Sequence, residues 1–117
     1  MAPPAVTLNF GPAAQAAIQG FGAVLGTKWQ TDQDTIDAWQ QYGKDLQGIQ
    51  SDLNNRIIDT FTAKQRNNAA HATLDAAIAA STGLQRVAYQ NAINAALKAL
   101  WAVAGAALSG ALKVAFA

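Results

Sequence analysis

Bulky apolar residues in this chain fall into three stretches with different rhythms. In the middle one, Ile36, Trp39, Tyr42, Leu46, Ile49, Leu53, Ile57 and Phe61 follow one another at intervals of three or four. That is the spacing of a single stripe on a helix. Asp45, Asp52 and Asp59 recur every seven residues beside it, as positions on a solvent-facing edge would. Asp52 and Arg56 stand four apart, an ion pair worth only about 0.3–0.5 kcal/mol on an exposed helix. Asn67 and Asn68 interrupt the pattern without enforcing a break, and Leu74 and Ile78 resume it. Thr31, three residues before Asp34, reads as an N-cap with acidic residues in the first turn. An unbroken helix from Asp32 to Ala80 would run about 74 Å at 1.5 Å per residue.

The first stretch is softer. Pro3, Pro4 and Gly11 surround Val6, Leu8 and Phe10, which predicts an extended arm over residues 1–11. Pro12 suits the first position of a short helix over 12–26 that carries Ile18, Phe21, Val24 and Leu25. Gly20, Gly22 and Gly26 each weaken it by roughly 1 kcal/mol relative to Ala, so it needs a surface to rest on. Region 27–83 is the polar and amphipathic centre, closed by the turn signal Ser81-Thr82-Gly83.

Residues 84–117 contain no proline and are dominated by Ala and Leu, which predicts a further long helix. Ala99 to Leu112 are fourteen consecutive uncharged residues between Lys98 and Lys113. As a helix they cover about 21 Å, short of the roughly 30 Å hydrocarbon core of a bilayer. Lysine stems can snorkel from both ends and Trp101 suits a headgroup boundary. Ala95, Ala99, Ala102, Ala106 and Gly110 form a strip of small residues that permits close helix approach. Leu108 and Leu112 supply bulk beside it.

The expected fold class is all-α: a short N-terminal helix, a long central helix and an Ala-rich C-terminal helix, extended or hairpin, completed by oligomerisation. Composition explains the last clause. Of 117 residues 28 are alanine, only 8% are aromatic and 13% charged, so the core is thin and a partner, further copies or lipid would complete it. The net charge of +1 is too balanced for a dedicated nucleic-acid binder, which needs clustered positive charge. Residues 1–27 carry no charged side chain, and all seven Asp lie between Asp32 and Asp75. Without cysteine there is no disulfide framework. The opening Met-Ala-Pro-Pro lacks the basic n-region of a secretory signal, so the chain is expected to be made in the cytoplasm and to end in a virion or at a membrane.

Chemistry is sparse. His71 and Asp75 stand four apart, but two ligands are too few for a zinc site, which needs three or four. Asp32, Asp34 and Asp37 lack the glycine and glutamate of a calcium loop and suit a helix N-terminus instead. Ser51, Ser81 and Ser109 have no nucleophile-elbow context, and Gly20-Phe21-Gly22 lacks the third glycine and preceding strand of a dinucleotide site. Asp59 breaks the basic group Arg56, Lys64 and Arg66. Trp29, Trp39 and Tyr42 read as core and helix-junction residues, or as an aromatic anchor for a partner. The expectation is a protein that is not an enzyme, with no catalytic, cofactor-binding or metal-binding residue and no small-molecule substrate.

The Ala/Gln/Asn-rich, cysteine-free make-up resembles that of the internal or ejection proteins of tailed bacteriophages. The resemblance implies a small virion component that forms helical oligomers and contacts the cell envelope. Its partners would be copies of itself and other assembly proteins, with membrane contact. The expected oligomer interface is Leu46, Ile49, Leu53, Ile57, Phe61, Ala95, Ala99, Ala102, Ala106 and Gly110. Phe21, Val24, Leu25, Trp101, Leu108 and Leu112 are the expected membrane or partner contacts. One alternative is a holin-like or pore-forming protein whose end helices insert. A second is a soluble helical-hairpin interaction module similar to the small secreted WXG-type proteins, although the Trp-x-Gly turn of that family is missing here.

Overall fold

The computed structural model describes residues 11–104. Four α-helices make up most of it: α1 (Gly11–Leu25), α2 (Gln33–Asn54), α3 (Thr60–Thr82) and α4 (Arg86–Ala104), with one 3-10 turn at Thr27–Gln30 between the first two. The closest backbone approaches are α4 on α1, α2 on α3 and α1 on α2. Their shared core contains Ile18, Phe21, Trp39, Tyr42, Leu46, Ile49, Leu74, Ile78, Ile93 and Leu100. The expected arm over 1–11 falls almost entirely outside the described residues, as do Ala106, Leu108, Gly110 and Leu112.

The predicted single helix from Asp32 to Ala80 is corrected by a break at Asn55–Asp59 that folds the region back into the α2–α3 hairpin. The longest dimension is 48 Å, against about 74 Å for the rod. Local chemistry explains the break. Beyond the cap residue Asn55, the Arg56 N–H bonds to the Leu53 carbonyl and the Ile57 N–H bonds to the Asp52 carbonyl. This paired closure is the Schellman arrangement, and its left-handed position is held by Arg56 at φ 58° rather than by glycine. The Asp59 carboxylate then accepts the Thr62 N–H at 2.7 Å and starts α3. That bond to the amide holds the Asp59 carboxyl below its ordinary range. The Asp52–Arg56 pair predicted within one helix is replaced by a pair across the hairpin, Arg66 Nη1 to Asp52 Oδ2 at 2.6 Å.

Two other local readings change. The N-cap of α2 is Asp32, one residue beyond Thr31, and its carboxylate accepts from both the amide (3.0 Å) and the hydroxyl (2.9 Å) of Thr35. Asn67 does not disturb α3 at all. It sits between Ala63 and Ala70 on the inward face, where its Oδ1 accepts the Tyr42 hydroxyl at 3.1 Å. A polar residue on a core stripe is tolerated when its bond is made.

Small residues set the α1–α4 spacing. A Cβ on Gly20 would lie 3.2 Å from the Ala95 carbonyl oxygen and 3.3 Å from the Ala99 Cβ. Gly83 ends α3 in the left-handed conformation at φ 67°, where a side chain would be strained.

Candidate interaction surface

Chemistry and exposure separate cleanly in this molecule. Three aromatic side chains, Phe21, Trp39 and Tyr42, lie inside. Phe21, Trp39 and Tyr42 form a chain of tilted and edge contacts with ring centroids 6.0 and 6.3 Å apart. His71 meets the edge of Tyr42 at 5.9 Å, and its Nδ1 is 4.0 Å from Asp75 Oδ2, beyond hydrogen-bond length. Burial, with a smaller contribution from the Asp45 charge, pushes the Tyr42 phenol well above its ordinary value. It therefore stays protonated and acts as a hydrogen-bond donor. Among the described residues no group of three or more His, Asp or Glu could hold a metal ion. A shallow groove of about 350 Å³ between α1 and α2 is lined by Gly11, Ala14, Gln15, Gln40, Gly43, Lys44 and Gln47. Nothing in it pairs a nucleophile with a base.

The α2–α3 corner has the opposite character. Ile57 is 69% exposed and Phe61 68% exposed, while their neighbours Leu53 and Ile58 are half-buried against the core. In a Schellman closure the residue after the left-handed position usually packs back on the last helical turn. Here that residue is Ile57, and the places it would cover are Ser51 and Asp52. With no apolar surface to receive it, Ile57 stays in water. Phe61, in the first turn of α3, points outward while Ala63 turns inward. Two bulky side chains thus stand exposed at the reversal between α2 and α3.

Charge at the corner is mixed. Asp52 is paired with Arg66, and the exposed Asp59 carboxylate keeps its charge while accepting the Thr62 amide. Arg56 and Lys64 are exposed and have no carboxylate partner among the described residues. Lys64 lies three residues after Phe61, on the same side of α3, and Arg56 precedes Ile57 directly.

The residues singled out from the sequence are divided by this geometry. Ile57 and Phe61 both stand exposed at the corner, and Leu53 is half-buried against the core. Leu46, Ile49 and Phe21 are instead buried in the chain's own core. Ala95 and Ala99 face Gly20 of the same chain, so at least part of the small-residue strip is occupied internally. Ala102 is exposed and Val24 is 53% exposed, while Leu25 and Trp101 are half-buried. The sequence reading passed over Arg56 and Lys64 because Asp59 seemed to cancel them. An acidic residue three positions before Thr62 is a capping signal, and it reveals that Asp59 faces the helix amides.

No helix among the described residues is long and apolar enough to cross a membrane. Comparison with known proteins returns no match: no family model fits the chain, and neither a curated protein nor a solved structure is significantly similar to it.

Proposed function

We propose that this chain is a non-enzymatic assembly protein, a small helical virion component that self-associates and contacts the cell envelope through its α2–α3 corner. The observation that carries the reading is the pair Ile57 and Phe61, the two bulkiest strongly exposed apolar side chains, both at the reversal between α2 and α3. Exposed apolar clusters of this kind mark contact surfaces. The α1–α4 pair, with exposed Val24, Ala102 and Val103, is the surface we assign to self-association. The compositional resemblance to internal and ejection proteins of tailed phages gives the reading its concrete form.

Light scattering and envelope co-sedimentation test it. The full chain should give a defined oligomer, weakened in Ala102→Leu by overpacking. It should also sediment with bacterial envelope fragments. A double variant, Ile57→Ser with Phe61→Ser, should keep the oligomer and the helical circular dichroism but leave the envelope fraction. A chain that stays monomeric at every concentration, or a corner variant that still binds envelopes, overturns the reading.

A further inference from the structure

We propose that the furrow between α2 and α3 docks a helix of a partner protein, one with lysine or arginine along one edge and small or apolar residues along the other. This surface shares no residue with the Ile57 and Phe61 corner and does not depend on it.

Shape is the first argument. Three adjoining hollows of about 440, 50 and 230 Å³ run along the hairpin. Ala38, Gln41 and Ala77 line the first and the second, while Asp45, Ala70 and Thr73 line the second and the third. They form one furrow, which extends from Asp34 to Ile49 on the α2 side. At 1.5 Å per residue that is about 22 Å, room for a helix of about four turns. Apart from Leu74 and, at one end, Arg66, α3 contributes only Ala, Thr and Ser side chains to the lining. Such small side chains let a second helix come close.

The two sides of α3 are the second argument. Its inner side buries Ala63, Ala70, Leu74 and Ile78. Its outer side, at Ala69, Ala72, Ala76 and Ala80, is exposed and also apolar. A helix that is apolar on both sides is suited to packing on both. Among the described residues α2 is the helix packed closely along α3, whereas α4 lies on α1.

Charge selects the occupant. Asp34, Asp37 and Asp45 stand along the α2 rim, and none has a cation partner among the described residues. Gln33 Nε2 donates to Asp37 at 2.7 Å and Gln41 Nε2 to Asp45 at 2.9 Å, bonds that orient these carboxylates and leave them charged. The fourth charged residue of the lining is Arg66, at the far end, and it is paired with Asp52. The furrow is therefore net negative. Two copies meeting furrow to furrow would set carboxylates against carboxylates, because a two-fold contact pairs a patch with its own image. Nucleic acid and anionic lipid are repelled by the same row. A helix with its cations over α2 and its apolar edge over α3 complements both rims.

The test uses the full chain and a dye-labelled synthetic helix of about five turns, with lysine along one edge and alanine and leucine along the other. Fluorescence anisotropy should show saturable binding that weakens as salt shortens the screening length. The same peptide with glutamate in place of lysine should bind at least about tenfold more weakly. Asp34→Asn with Asp37→Asn and Asp45→Asn should weaken binding of the lysine peptide by about tenfold. Ala77→Phe fills the furrow where two hollows join and should abolish binding with all three carboxylates in place. Ile57→Ser with Phe61→Ser should bind the lysine peptide as the parent chain does. Thermal melts confirm that each variant is folded. Absence of binding, equal binding of the two peptides, or unchanged binding in the Asn or Phe variant overturns the inference. So does loss of binding in the Ile57/Phe61 variant, which would put the peptide at the corner. An oligomer of the parent chain that binds neither peptide and dissociates on Ala77→Phe also overturns it, since a second copy would then cover the furrow.

Discussion

The Tyr42 hydroxyl on α2 donates to Asn67 Oδ1 on α3 at 3.1 Å, bridging residues 25 positions apart. This bond ties the hairpin at its middle, between the Thr35–Ser81 approach at one end and the Asp52–Arg66 pair at the other. It also explains why a polar residue stands on the inward face of α3.

Removing one partner of this bond should cost more than removing both. Asn67→Leu leaves the Tyr42 hydroxyl without its acceptor and should destabilise by about 1–3 kcal/mol. Adding Tyr42→Phe removes the orphan donor and should recover part of that loss. Urea melts of the two single variants and the double variant measure the coupling; strict additivity would mean that the bond contributes nothing.

Gly20 fixes how closely α1 and α4 approach, with a Cβ already tight against the Ala95 carbonyl and the Ala99 methyl. Gly20→Val should force the helices apart and lower stability by about 1–3 kcal/mol, the usual range for overpacking. Ala99→Gly in the same chain should relieve part of the clash. Thermal denaturation of both variants checks this.

Arg56→Gly should raise stability by about 1 kcal/mol, since glycine adopts φ 58° without the steric cost borne by an L side chain. Urea melts of the parent chain and the variant check this; a loss of stability would show that the Arg56 side chain contributes more than its backbone conformation costs.

Asp59 gives a pH signature. Its carboxyl is held below the ordinary carboxylate range by the Thr62 amide, with a further contribution from the Thr62 side chain. A folded-state pKa below the unfolded one adds stability that is present above the unfolded value and disappears as pH falls through the folded one. The difference in melting temperature between the parent chain and Asp59→Ala should therefore be largest near neutral pH and shrink below pH about 4. A difference constant from neutral to acid pH would show that the carboxylate charge is not what caps α3.

A buried amide marks where the fold is imperfect. Gln50 is almost fully buried, and its Oε1 has no hydrogen-bond partner. Gln50→Met keeps the shape and removes the orphan acceptor, so it should leave stability unchanged or raise it by about 1 kcal/mol. A loss of stability in equilibrium unfolding would show that the amide makes a contribution its NH₂ group alone supplies.

By itself the sequence determined the helical class, because the three-and-four spacing from Ile36 to Leu53 encodes one face of a helix whatever that face meets. It also marked Gly83, since a glycine after Ser and Thr suits a left-handed helix end. Tertiary structure alone decided which apolar residues are used inside. Leu46 and Ile57 belong to one sequence stripe, yet one is buried and the other stands in water, because the chain reverses between them. That reversal was hidden by its own chemistry: Arg56 occupies the position at which glycine would have announced a turn. The physical reason is that periodicity reports on local geometry, whereas burial depends on which distant surface arrives. Here α3 returns along α2 and packs on the side of Tyr42, while Ile57 and Phe61, at the reversal itself, stay exposed.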